Sequence, residues 1–535
     1  MDMHAAEPPA AAGPAVEPVT ADSIWQLARL RAERTPERVL ITDEHERVLT
    51  FGQLRERAEA VAAGLFELGI RPGDVTSWQL PSRIDTVVLF MALARLGAIQ
   101  NPLIPMLRES EIDFICGQTR TRLLVVPSVF RGYDHLAMAR SIAAGLPGTR
   151  VINADAGLPV GDISALPPAP DPSAADSAGT VRWLFYTSGT TAAPKGAQHT
   201  DAGLLAAART FNDATRLQAD DRVAALSPIA HVGGVLHVLS SLAAGCRNII
   251  TAVYDQAGTT RQMEAARVTL GGSGVPFIQG YLREQRQRPD HRYFPDVRAF
   301  LVGGAPRSPA LHDDVKRELG GVGIVSGYGL TECPYVSWAG VDDPDDKLPL
   351  TEGRPPAATQ IKITDAEGRP RPRGESGELR VRAPQLMLGY LDSALDAEAF
   401  DGDGYFRTGD LAMIDDAGYL TITGRIKDVI IRNMENISAR EIENLALTFP
   451  RAAETAVIGL PDARTGERVC AVIVPADPAD PPTLEDLVAH LRAAGLNPRK
   501  LPVQLEYVSE LPRNAMNKVV KKTLKDQFAI PAKAG

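Results

Sequence analysis

Between Phe185 and Gly196 the chain reads FYTSGTTAAPKG, in which Thr187, Ser188, Thr190, Thr191 and two glycines surround Lys195. Such a stretch has the parts of an oxyanion cradle. Hydroxyls and main-chain N–H groups donate, and the ammonium supplies charge. The spacing from Gly189 to Lys195 equals that of GxxxxGK[ST], the phosphate loop of kinases and ATPases. Two positions depart from it. Pro194 replaces the glycine before the lysine, and Gly196 replaces the Ser/Thr that would hold magnesium. The loop can surround phosphate, but a P-loop kinase is disfavoured.

Six further stretches bear on the same chemistry. They are PIAHVGG from Pro228 to Gly234, GGAP from Gly303 to Pro306 and SGYGLTE from Ser326 to Glu332. Beyond them come YFRTGD from Tyr405 to Asp410, GRIKD from Gly424 to Asp428, and PRNAMNK from Pro512 to Lys518. Taken singly, each reads as a solvated turn. In this order and spacing they resemble the adenylate-forming superfamily: acyl-CoA synthetases, luciferase-like enzymes and peptide-synthetase adenylation domains. The resemblance runs from about Ser23 to Lys525.

It implies an α/β fold with a large multi-sheet N-terminal domain, layered and including a distorted barrel, and a small mobile α+β C-terminal domain. The expected division is a disordered tail at 1–21, an adenylation domain at 22–426 and a mobile domain at 427–535. It also implies that a carboxylate attacks the α-phosphate of ATP, pyrophosphate leaves, and a thiol then takes the acyl group from AMP. Thr187, Ser188, Gly189, Thr190, Thr191 and Lys195 would hold the β- and γ-phosphates. Gly304, Ala305, Pro306, Tyr328 and Gly329 would form the adenine slot. Asp410 and Arg425 would grip the ribose. Thr331 would donate to the α-phosphate, and Glu332 would ligate Mg2+, a hard cation that prefers oxygen. Lys518 would bridge carboxylate and α-phosphate, and His231 completes the catalytic set.

Alternating helices and short apolar strands must position these groups. Thr50 and Gln53 have capping-box spacing ahead of a helical run of Leu54, Ala58, Val61, Leu65 and Leu68, which Gly69 ends. The window from Thr86, TVVLFMALARLGAIQNPLIP, is broken by Arg95, Gly97 and two prolines, so it reads as a core helix and a strand rather than a membrane span. VRWLFYT is a buried strand that delivers the hydroxyl-rich loop. The last hundred or so residues, with a second capping-box spacing at Ser438 and Glu441, suit a separate α+β unit.

The totals exclude other classes. A net charge of −9 leaves no surplus of Lys and Arg for a general nucleic-acid binder. The four cysteines are scattered and suggest neither disulfides nor zinc, which fits a reducing cytoplasm. The Ala/Pro-rich N-terminus lacks a basic start and an apolar core and is no secretory signal. A homodimer is compatible with all of this.

By the resemblance, the acyl pocket lies near His231, Gly233, His237, Val275, Phe277, Leu301, Gly327, Tyr335 and Val336. No acidic residue adjoins His231 to pair with an ammonium, so amino acids are disfavoured. A medium-chain, alicyclic or aromatic acid is expected, with CoA as co-substrate. For His237, a specificity contact and a satisfied core histidine stand side by side. Lys427 is the expected hinge. Met434 stands where the family has a glycine that passes the pantetheine arm of CoA, and Asn517 replaces the glycine before Lys518. These departures leave two further readings open. One is transfer to a carrier-protein thiol or arrest at acyl-AMP. The other is a nucleotide-binding pseudoenzyme, which retention of Lys195, Glu332, Asp410, Arg425 and Lys518 disfavours.

Overall fold

Thr50 and Gln53 exchange the two bonds of the expected capping box, and the helix Phe51–Glu67 buries Leu54, Ala58, Val61 and Leu65. Gly69 follows at φ +91°, a left-handed conformation that glycine adopts without steric cost. The apolar window is a buried helix, Ile84–Leu96, stopped by Gly97, and then the strand Ile99–Pro102. Among the described residues no helix is long and apolar enough to cross a membrane.

This computed structural model describes residues 16–174, 179–187, 194–304, 307–433, 435–513 and 519–529. Ser188, Gly189, Thr190, Thr191, Ala305, Pro306, Met434 and Lys518 lie outside the described residues. Residues 16–21, assigned by composition to the tail, are docked. Val19 is buried and its N–H donates to the Ala243 carbonyl at 2.8 Å.

The architecture is α/β, with a large N-terminal and a smaller C-terminal part. One sheet has seven strands and a parallel centre, and the strands Trp183–Thr187 and Lys195–His199 join it as an antiparallel pair. An eight-stranded sheet places Ala299–Gly303 beside Ile324–Tyr328 in parallel, with Ser337–Trp338 antiparallel at its edge. A third layer, in the place of the expected barrel, is an antiparallel meander of Gln360–Thr364, Gly377–Arg382, Phe406–Ile414 and Leu420–Arg425. The C-terminal unit has five strands, and the helices Ala439–Ala446 and Leu484–Ala493 pack into its core.

Packing changes one local expectation. Ser438 accepts from the Glu441 N–H, but its own hydroxyl donates to the Thr423 carbonyl at 2.8 Å, and the Glu441 carboxylate pairs with Lys500 at 2.6 Å. The return half of the capping box gives way to these longer-range contacts. A second link lies alongside. Buried Glu352 accepts from Arg440 at 3.3 Å and from the Ile422 N–H at 3.0 Å, with Arg307 at 3.8 Å. This cluster ties the end of the adenine stretch to the strand before the hinge and to the first helix of the C-terminal unit.

Candidate active site

The hydroxyl-rich loop is carried by a hairpin. Thr187 lies directly across from Lys195, so the two ends of the loop are neighbouring rungs on one sheet. A Cβ on Gly196 would fall 2.9 Å from the Tyr186 ring, which is why the Ser/Thr of the kinase-type loop does not fit there. The Lys195 ammonium stands 5.3 Å above the ring of Tyr390, and the Tyr390 hydroxyl donates to Glu332 at 2.7 Å. Lys195 and Glu332 are thereby brought to one place by a residue 195 positions from Lys195 along the chain.

The turn holding Thr331 and Glu332 is fixed from behind. Buried His199 bonds the Thr331 carbonyl through Nε2 at 2.8 Å, and burial lowers its pKa to about 4. The imidazole is therefore neutral near pH 7, and its Nε2–H is the donor. Cys333 is fully buried behind this turn with Val336, and burial pushes its thiol pKa up.

The expected ribose grip is preorganised. Asp410 is 3% exposed and sits opposite Arg425 in register. Arg425 Nε donates to its Oδ1 at 2.7 Å, and the Tyr328 hydroxyl donates to its Oδ2 at 2.6 Å. Burial, and then the Asp410 charge, holds the Tyr328 pKa well above that of an ordinary phenol, so Tyr328 remains a donor. Each carboxylate oxygen has a further lone pair for a hydroxyl. Gly304 has φ +74° at the end of the neighbouring strand.

The pocket residues fall into separate groups. His231 caps the helix Val232–Ala244 by accepting from the Gly233 N–H through Nδ1 at 3.2 Å, which places its proton on Nε2. A Cβ on Gly234 would lie 2.1 Å from the Pro228 carbonyl, so that glycine is demanded by the turn. A Cβ on Gly233 would lie 3.9 Å from the Tyr335 hydroxyl. Tyr335 has φ +51°, a conformation of some strain for a non-glycine residue, and its ring stacks on Phe211 at 5.8 Å. Gly329 makes this possible, because a side chain there would meet the Tyr335 nitrogen at 2.4 Å.

Phe211 also contacts Trp338 at 5.0 Å and His237 at 5.6 Å, with Leu301 in the same cluster. His237 is 4% exposed, its Nδ1 has no hydrogen-bond partner, and burial lowers its pKa to about 4. Of the two roles open for it, the satisfied core histidine does not describe Nδ1. Val275 and Phe277 pack elsewhere, Phe277 edge-on to Tyr254 at 4.9 Å, and Val336 is behind the Glu332 turn. The site also includes His199, Tyr390, Phe211 and Trp338, to which sequence reasoning gave no role. His199 follows the phosphate loop, a signal open to reading; the others have none beyond residue type.

A sequence model of the AMP-binding enzyme matches residues 28–391, and one of the AMP-binding enzyme C-terminal domain matches residues 441–518. The chain belongs to the AMP-binding enzyme family. Relatives include the medium-chain fatty-acid–CoA ligase of Escherichia coli, 28% identical over 93% of this chain and 88% of that protein. A salicylyl-CoA synthase / salicylate adenylyltransferase of a Streptomyces is 31% identical over 92% of each chain. A salicyl-AMP ligase / salicyl-S-ArCP synthetase of Mycobacterium tuberculosis is 30% identical over 93% and 89%. The crystal structure of ATP-bound MatB from Rhodopseudomonas palustris superposes with a TM-score of 0.83 at 26% identity, over 94% of this chain and 99% of that one. This AMP-binding enzyme is thus an adenylating enzyme of the adenylate-forming superfamily, whose members here include both CoA ligases and acid–AMP ligases.

Asp410→Asn keeps the shape of this corner and removes its charge. The KM for ATP is expected to rise roughly 10- to 100-fold, as for loss of a charge-assisted bond. Initial rates of pyrophosphate release against ATP concentration check this, and an unchanged KM would remove Asp410 from the nucleotide site.

Proposed function

We propose that this enzyme activates a ring-bearing carboxylic acid, an aromatic acid with a polar substituent foremost, as its acyl-adenylate and passes the acyl group to CoA. The observation that carries the choice of acid is the aromatic cluster beside the cap of the Val232–Ala244 helix. Phe211, Tyr335 and Trp338 pack against one another there, an aromatic surrounding that suits a flat ring. Unpartnered His237 Nδ1 in the same cluster suits a substituent that hydrogen-bonds. A straight acyl chain would leave that nitrogen unsatisfied. Of the acids expected from sequence, the aromatic class moves ahead of the medium-chain and alicyclic ones.

The carboxylate oxygen forms a bond to the α-phosphorus while the bond to the β-phosphate oxygen breaks, and pyrophosphate departs. Thr187, Lys195 and the loop between them hold the leaving phosphates. Gly304, Tyr328, Asp410 and Arg425 fix the nucleoside, and Thr331 donates to the α-phosphate. Lys518 offsets the charge that builds between the two anions, so positioning and electrostatics account for most of the acceleration. Glu332 fits magnesium held by one carboxylate and phosphate oxygens, the usual arrangement for that ion. When bound, Mg2+ would neutralise phosphate charge. In the second half-reaction the thiol sulfur bonds to the acyl carbon and AMP leaves. A rotation about Lys427 would exchange Lys518 for the loop around Met434 between the two steps.

Met434 favours a second reading of the acceptor. A side chain in place of the glycine narrows the path expected for pantetheine, so a carrier-protein thiol is the alternative to free CoA.

Mass spectrometry on the enzyme with ATP, magnesium and pooled acids is expected to show hydroxylated aryl-AMP, and the aryl-CoA when CoA is added. Preference for amino acids would overturn the acid class, and thioester formed only on a phosphopantetheinyl carrier would replace CoA as acceptor. Lys427→Pro is expected to retain acid-dependent pyrophosphate release while thioester formation falls about 100-fold or more, as for a blocked conformational step. Equal loss of both steps in single-turnover assays would contradict the hinge.

A further inference from the structure

Trp338 belongs to the aromatic cluster and also lines a cleft. Its backbone is fixed, paired with Gly327 in the eight-stranded sheet and bridged to Arg354. Its indole fills the room that Gly327 leaves, since a Cβ at that position would lie 2.1 Å from the ring. The same ring lies edge-on to Phe211 at 5.0 Å and to Tyr335 at 4.7 Å, the members of the aromatic cluster. Nothing polar anchors it, because the buried Nε1 has no hydrogen-bond partner.

Trp338 also borders a cleft of about 210 Å³, lined with it by Thr210, Asp213, Ala214, Gly340, Asp343 and Arg354. Thr210 and Ala214 flank Phe211 on one helix, Asp201–Thr215, so that helix contributes to both the cluster and the cleft. The indole, held by ring contacts, thus touches both the aromatic cluster and the cleft.

We propose that Trp338 sets the size limit of the acid pocket, and that the cleft behind it is a second subsite for the end of an acid remote from its carboxyl group. This inference rests on the reading of the aromatic cluster as the acid pocket. With the indole in place the pocket takes a single ring. With it removed, the pocket and the cleft become one channel that admits an acid extended by a second ring.

The test compares wild type, Trp338→Phe, Trp338→Ala and the double variant Trp338→Ala/Ala214→Phe, by pyrophosphate release with benzoate and with biphenyl-4-carboxylate. Trp338→Ala is expected to raise the ratio of kcat/KM for the longer acid over the shorter by about tenfold or more, the scale of a pocket-size change. Trp338→Phe is expected to stay near wild type, and Ala214→Phe, which refills the cleft, to reverse the gain. Trp338→Leu replaces Trp338→Ala if thermal unfolding shows the latter misfolded. A ratio unchanged in the smaller variant, or a gain that survives refilling, overturns the proposal. If wild type uses straight-chain acids and no aryl acid, the aromatic reading fails. The proposal is then judged by the same ratio for hexadecanoate over octanoate. An enzyme that activates neither class overturns both.

Discussion

The Asp410 carboxylate, almost wholly buried, is held by Tyr328 at 2.6 Å and by Arg425 at 2.7 Å, and three parts of the chain converge on it. Tyr328 ends a strand of the eight-stranded sheet, Asp410 lies within the antiparallel meander, and Arg425 is the last residue before the turn Ile426–Asp428 that carries Lys427. A buried charge without partners is costly, so the protein places two donors on this one. Those donors also fix the carboxylate's orientation before any nucleotide arrives. The Asp410 corner and the start of the turn that carries Lys427 are thus parts of a single network.

The aromatic cluster around Phe211 is built on a different principle. There the protein uses shape, and several glycines are explained by what presses against them. Gly329 admits the Tyr335 backbone, Gly327 admits the Trp338 ring, and Gly234 admits the Pro228 carbonyl. The polar groups left in that cluster are His237 Nδ1 and Trp338 Nε1, neither with a partner. Uncompensated buried polar atoms are uncommon in folded proteins and ask for an explanation. In the proposed function a ligand substituent supplies one for His237.

Local signals were read well where local physics decides. The capping box at Thr50, the stop at Gly97 and the strand into the phosphate loop all follow from short-range rules. At Ser438 the same rule was only half obeyed, since Thr423 and Lys500 compete for its groups from other parts of the chain. The order and spacing of the motifs singled out Lys195, Glu332, Asp410 and Arg425, and the structure brings Lys195 near Glu332 and pairs Asp410 with Arg425. Tyr390 and Trp338 were not singled out, because each acts through a contact made only after sheets assemble. His199 stood in plain view beside the loop, yet its role depends on the Thr331 carbonyl, 132 positions away. Val336 and Phe277, expected in one acyl pocket with Tyr335, pack in other clusters, while Phe211, which is central to the aromatic cluster, has no motif around it.

The central claim is that the site brings a carboxylate oxygen to the α-phosphorus of ATP. The most direct test follows oxygen-18 from a doubly labelled aryl acid into the phosphorus-containing products by mass spectrometry. The account predicts one labelled oxygen in AMP and none in pyrophosphate once the acyl group has moved to the thiol. Label in inorganic phosphate, or a thioester that forms while AMP stays unlabelled, would contradict it.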